Sequence, residues 1–229
     1  MAASIDQAPR GGTTPVDRWL CIVFDIDQTL IDDEKQDADT HGVQRDGFVF
    51  SLSSDDRDIY VRPGAADLLA YCFAHAKGVA VWTRASKQWA DAVLALPVFV
   101  PFRDKFAFVW SAEECRSRWT RTGTDVGMLS PPIRSRDKPL AKIWKKGRFR
   151  AAGWRPRSTL IIDDTPANFQ CNYGNGIRVP PYLVAFPNAA SDRVLWALRD
   201  YLDATFNPSS KVRNVRFTEK RGWLQQRGT

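Results

Sequence analysis

A chain of 229 residues with 44% hydrophobic residues and nine Trp has enough apolar side chain for a sizeable core, which excludes an intrinsically disordered protein. No run approaches the roughly 18 apolar residues of a membrane span, and the N-terminus MAASIDQAPRGGTTP lacks the apolar core of a secretory signal. The net charge of +7 is unevenly placed, with nine acids against three bases over 32–58 and ten bases against one acid over 134–157, which suits a polyanionic or phosphorylated partner and equally a solvated basic face.

In chain order, residues 1–17 read as a flexible leader of small and polar residues. WLCIVFDI (19–26) is a near-continuous apolar run, the pattern of a strand buried on both faces of a parallel sheet. Residues 31–46 read as polar loop, and the acids Asp32 to Glu34 as part of its solvated surface. FVFSLSSDDRDIYV places a β-hairpin near 47–61, and Pro63 opens a helical stretch that ends before Gly78. GVAVW (78–82) is a second buried strand, followed by a helix over 86–96 with Ser86 as its N-cap. FAFVW (106–110) precedes a short helix expected over SAEECRSRW (111–119), and 120–137 reads as irregular.

PLAKIWKK starts another helix, STLIIDD (158–164) is a further buried strand, and 192–206 carries apolar residues at helical spacing. Strands alternating with helices predict one α/β domain over 18–206, a Rossmann-type parallel sheet flanked by helices. The segment near 97–137 reads as an insertion, and 207–229 as a basic C-terminal extension. Four Cys without a CxxC pair and only two His suggest neither zinc site nor disulfide framework, so a reducing compartment, nuclear or cytoplasmic, is expected. The cysteines read as small buried hydrophobes. Trp82, Trp89, Trp110 and Trp144 read as core, while Trp119 and Trp154 could instead line a substrate groove.

Three of these strands end in chemically useful residues: Asp25 and Asp27, then Thr83, then Asp163 and Asp164. Ligands of open α/β sheets bind at the carboxyl ends of strands, so the three endings can converge although they span some 140 residues. Asp25 and Asp27, spaced i and i+2, can face one side and divide nucleophilic attack from proton transfer. Clustered carboxylates repel unless a hard cation sits among them, which suits Mg²⁺. Thr83, before a helix start, suits a phosphate cradle, and Lys138 or Lys142 could neutralise the remaining charge.

DIDQTL, VWTRAS and KPLAKIW…STLIIDDTP, taken together and in this order, resemble the four motifs of haloacid-dehalogenase-type phosphatases. YVRPGAADLL and DDTPANF…NGIRVPPY further resemble the branch that dephosphorylates the C-terminal domain (CTD) of RNA polymerase II, including its members with a ubiquitin-like domain. The resemblance covers roughly 19–205. It implies a Mg²⁺-dependent phosphoserine/phosphothreonine protein phosphatase working through an aspartyl-phosphate. It implies Asp25 as nucleophile and metal ligand, and Asp27 as acid/base whose backbone carbonyl also meets the metal. Thr83 would bind phosphate, Lys138 matches the family lysine better than Lys142, and Asp164 is the direct metal ligand with Asp163 supporting it.

Two departures stand out. Arg84 takes a position where a small residue is common, which could alter how substrate approaches, and it is counted with Thr83 and Lys138 among the candidate phosphate contacts. With about eighteen residues before the first strand, no ubiquitin-like domain is expected. The implied partner is a phosphorylated protein or peptide, the polymerase CTD among the candidates, with no membrane involved. The rival readings are a phosphatase acting on nucleic-acid ends, motivated by the basic stretches, and a non-catalytic phosphatase-like binding module.

Overall fold

The computed structural model describes residues 18–35, 49–52, 57–120 and 133–225; the leader, His41 and the centre of the 120–137 stretch lie outside these. β1 (Cys21–Phe24) is buried throughout, as its apolar run requires. After a turn come β2 (Ile31–Lys35), β3 (Val49–Leu52) and β4 (Arg57–Val61), which form a small antiparallel sheet in the order β2-β4-β3. The expected hairpin is therefore present, but the loop reading of 31–35 is corrected. Asp32 is a buried strand residue whose carboxylate accepts the Val184 N–H at 2.8 Å. Burial, the larger effect, raises its pKa above the usual aspartate value despite that bond.

α1 (Ala65–His75) follows, entered through Gly64 at φ +84, where a Cβ would stand 2.9 Å from the Trp196 ring. β5 (Gly78–Trp82) leads to α2 (Lys87–Leu94), whose N-cap Ser86 accepts the Trp89 N–H as expected. A short α3 (Val100–Arg103) and β6 (Val109–Trp110) complete this half. The expected helix over 111–119 is not formed. The segment turns at Ser111–Glu114 and continues as β7 (Arg116–Thr120), which pairs antiparallel with β8 (Ile133–Asp137). Long-range pairing, invisible in the local pattern, overrides helical spacing here.

The chain returns through α4 (Ala141–Trp144) and α5 (Gly147–Ala151) to the buried β9 (Thr159–Asp163). α6 (Pro166–Phe169) and β10 (Gly176–Arg178) follow, and α7 (Val194–Phe206) closes the domain. The main sheet is parallel, in the order β10-β9-β1-β5-β6. Its direction of winding reverses at β1, so β1 lies between β5 and β9 at a topological switch point. Alternation along β1 sends Ile22 and Phe24 to a core with α1 and α7, and Cys21 and Val23 to a second core with Leu140, Phe149 and Trp154. Trp154 is 1% exposed, which excludes the groove role considered for it. Three cysteines are buried as expected, whereas Cys171 is exposed beside Arg116.

Residues 207–225 pack back onto the domain, with Trp223 buried and donating its indole N–H to the Arg178 carbonyl. No helix among the described residues is long and apolar enough to cross a membrane.

Candidate active site

The parallel register aligns Phe24 with Val81 on one side and Ile162 on the other. Asp25 and Asp163 therefore emerge at one level of the carboxyl edge, with Thr83 one residue further along its own strand's exit. Asp25 stays attached to β9 through its N–H on the Ile162 carbonyl, and Thr83 to β6 through its N–H on the Trp110 carbonyl. From Ile26 onward the chain turns sharply through Asp27: the Thr29, Leu30 and Ile31 N–H groups all point at the Ile26 carbonyl. Gln28 takes φ 57, a conformation that costs a non-glycine residue on the order of 1 kcal/mol, and its carbonyl accepts the Tyr182 N–H.

Arg62, from the YVRPG segment, is 1% exposed and holds this turn from below. It donates to both oxygens of Asp192 and to the carbonyls of Thr29 and Pro180. In sequence Arg62 stands out only as part of the YVRPG motif; in the structure it is the tie between the turn, the 180–184 loop and the start of α7.

Lys138 is fully buried, its ammonium 2.7 Å from Asp25 Oδ1 and 2.8 Å from Asp163 Oδ2. Its backbone N–H is fixed by the Asn168 carbonyl, so the lysine arrives from the end of β8 at a set depth. Lys142 instead donates to the Glu114 carbonyl on the surface, which selects Lys138 as the lysine of the cluster. Asn168 was missed from sequence: its amide donates to both Asp163 oxygens, at 2.9 and 3.1 Å, and its Oδ1 accepts Arg84 Nη1 at 3.2 Å. Arg84 itself is exposed at the mouth of the site.

Asp27 faces the other way. Its carboxylate accepts the Thr83 hydroxyl at 2.8 Å and the Trp89 indole N–H at 2.7 Å. The Thr83 oxygen in turn accepts the Ala85 N–H at 2.9 Å, at the entrance to α2. Trp89 read as core; the structure makes it half-buried and a partner of Asp27, and only its position one turn into α2 could have signalled this.

Asp25, Asp163 and Asp164 each offer a carboxylate oxygen, and the three lie within 4.8 Å of one another. Asp164 accepts the Thr165 hydroxyl, while Asp163 accepts the Thr165 N–H. Three carboxylates share one buried ammonium. Burial first, and then Asp163, raise the Asp25 pKa well above the usual aspartate range against the pull of Lys138. Burial and Asp163 raise Asp164 as well. Lys138 is raised too: burial opposes its charge, but Asp163 and Asp25 outweigh burial. This excess of negative charge over the one lysine, in an all-oxygen donor set, fits a hard divalent cation. The buried aspartate cluster could bind a metal.

A family model for NLI interacting factor-like phosphatases matches residues 20–216. The ubiquitin-like domain-containing CTD phosphatase 1 of Xenopus tropicalis is 30% identical over 128 residues, which cover 54% of this chain and 36% of that protein. Its counterpart in Homo sapiens is 27% identical over 184 residues, covering 79% and 48% respectively. The chain thus spans about half or less of the length of these curated relatives. Among solved structures, the fission yeast RNA polymerase II CTD phosphatase Fcp1 bound to beryllium fluoride shares 23% identity at a TM-score of 0.48, covering 75% of this chain and 44% of that one.

Proposed function

This chain belongs to the NLI interacting factor-like phosphatase family, and from that premise we propose that it hydrolyses phosphoserine or phosphothreonine in a protein, through a phosphorylated Asp25. The observation that carries this reading is the convergence of Asp25, Lys138 and Asp163 on one side of the β1 turn, with Asp27 and Thr83 on the other. Its curated relatives are named CTD phosphatases, so a phosphorylated RNA polymerase II tail is a candidate substrate.

In the mechanism, an Asp25 oxygen attacks phosphorus and the phosphorus–oxygen ester bond breaks. The Asp27 carboxyl gives its proton to the departing serine or threonine oxygen. Asp27, now a carboxylate, takes a proton from water as that water attacks the phosphorus of the Asp25 acyl phosphate. Inorganic phosphate leaves and Asp25 is regenerated.

Lys138 holds Asp25 in place and offsets charge near the transferring group. Thr83 and Trp89 aim Asp27, and Asn168 orients Asp163. Arg84, at the mouth, is placed to meet the phosphate. Asp25, Asp163 and Asp164, with the Asp27 carbonyl, would hold Mg²⁺, which when bound neutralises the phosphate oxygens and polarises phosphorus.

Replacing Asp25 by Asn removes the nucleophile while leaving the Lys138–Asp163 pair in place. Phosphopeptide turnover should fall by roughly a thousandfold or more, with the circular dichroism spectrum unchanged. Appreciable residual hydrolysis would overturn the assignment of Asp25.

One observation favours a second substrate class: Lys145, Lys146, Arg148, Arg150, Arg155 and Arg157 are all exposed on and after α4 and α5. Such a face suits a phosphate backbone, with salt-sensitive affinity. Faster release of phosphate from a 3′-phosphorylated oligonucleotide than from a phosphopeptide would replace the protein reading with a nucleic-acid one. The assembled cluster itself supports catalysis over a purely binding role.

A further inference from the structure

Beside the reaction site, the C-terminal segment and β10 enclose a cleft of about 690 Å³ that the chemistry above does not use. Its walls are built. Trp223 is 4% exposed, holds the Arg178 carbonyl and packs on the Tyr201 ring, while the Tyr201 hydroxyl donates to the Glu219 carbonyl. Lys220 is 8% exposed and its ammonium is held by the Val215 and Thr218 carbonyls, at 2.6 and 2.7 Å, rather than by a carboxylate. On the opposite side the Phe169 ring lies against Gly176 so closely that a Cβ there would stand 2.1 Å from it.

The lining has two characters. Tyr173, 59% exposed, stands over it with Pro180, Pro181 and Leu224, giving apolar and ring surfaces to an extended chain. The charged lining is four cations, Arg178, Arg216, Lys220 and Arg221, against the single carboxylate Glu219. Arg221 grips that carboxylate through both oxygens, and these hydrogen bonds hold its pKa down to about 2. The cleft therefore keeps a net positive lining, and burial lowers the Lys220 pKa, a cost that an anion would offset.

The cleft also lies next to the reaction site in the fold. Pro166, in its lining, follows Asp164 by two residues, and Arg178 is the register partner of Asp163 on the adjacent strand. Neighbouring strands lie about 4.8 Å apart and an extended chain advances about 3.3 Å per residue, so a segment only a few residues from the phosphoresidue reaches the cleft.

We propose that this cleft binds an acidic segment of the phosphoprotein substrate, flanking the phosphoresidue being hydrolysed, with an aromatic or proline side chain against Tyr173 and Pro180–Pro181. The inference rests on the phosphoprotein reading and adds to it a determinant of substrate choice at a distance from Asp25. A peptide is favoured over a nucleic acid because rings and prolines line the cleft between its cations, a surface for side chains rather than for a continuous phosphate backbone.

Two synthetic phosphopeptides serve as the test. They share one phosphoserine and differ only in a flanking segment, acidic with one Phe in the first and neutral without it in the second. The wild-type protein should prefer the acidic-flanked peptide by about tenfold in kcat/KM, a preference that shrinks at high salt. In the double variant Arg178→Glu/Arg216→Glu the ratio should fall to about one, and in Arg178→Gln/Arg216→Gln to an intermediate value. A wild-type ratio near one, or a ratio unchanged in both variants, would overturn the proposal.

A separate arm keeps the two readings distinguishable. Fluorescence anisotropy follows the same acidic segment, made without any phosphate, on the Asp25→Asn protein. Saturable binding that Arg178→Glu/Arg216→Glu abolishes supports the cleft even where neither phosphopeptide is hydrolysed. No binding, with hydrolysis intact, sinks the cleft and spares the phosphatase.

Discussion

The β1 turn separates two aspartates two residues apart into different surroundings. Asp25 points toward β9, into a buried group with Lys138, Asp163 and Asn168 where charge meets charge directly. Asp27 points toward β5 and is half-buried, held by neutral donors from Thr83 and Trp89. The first arrangement suits a group that must stay fixed and be compensated; the second suits one that must exchange protons with a leaving group and with water. Alternation alone would have placed both carboxylates on one side. The left-handed Gln28 and the Arg62 tie bend the chain so that they are not equivalent.

The largest expected effect lies on the β9 side. Lys138→Ala leaves Asp25 and Asp163 buried without their cation, and removing one partner of a buried ion pair costs about 3–5 kcal/mol. Urea denaturation of the metal-free protein should show a loss of that size, and phosphopeptide turnover should fall with it. If Lys138→Ala lost turnover at unchanged stability, the ammonium would act only on substrate. The two sides of the turn would then be alike in kind.

Most of the main sheet was legible because its strands are buried on both faces and so read as unbroken apolar runs: Cys21–Phe24, Gly78–Trp82 and Thr159–Asp163. Their polar endings marked the carboxyl edge. What was not legible depends on partners distant in sequence. Ile31–Lys35 looks like an acidic loop until β4 pairs with it, and Arg116–Thr120 looks helical until β8 does. β10 is only three residues long, too short for any period to show. Asn168 and Trp89 look ordinary on their own helices, and acquire a role only when folding sets them against Asp163 and Asp27. Arg62 gives no sign in sequence that it is buried, since a lone arginine after a strand is usually solvated.

On the β5 side the effects should be smaller and should spare stability. Trp89→Phe keeps the ring packing of a half-buried side chain and removes one hydrogen bond to Asp27. The loss is about 1 kcal/mol, roughly fivefold in kcat, with the unfolding midpoint nearly unchanged. A midpoint shift as large as that of Lys138→Ala would mean that Trp89 is primarily a core residue and that the contrast between the two sides is mistaken.

Arg84 spans the two sides, which makes it the sharpest discriminator though its effect should be the smallest. It leaves the chain directly after Thr83, just past the end of β5, and reaches across to Asn168, which orients Asp163 on β9. An exposed guanidinium loses much of any Coulomb energy to solvent, so Arg84→Ala should cost only about threefold in kcat/KM for a phosphopeptide. The partition of that loss tells which contact matters. A rise in KM that inorganic phosphate mirrors in a weaker inhibition constant places Arg84 on the substrate phosphate. A fall in kcat with KM unchanged, reproduced by Asn168→Ala and not additive with it, places its action through Asn168 on Asp163. The first outcome is expected, because Asn168 already donates to both Asp163 oxygens and is fixed by them without Arg84.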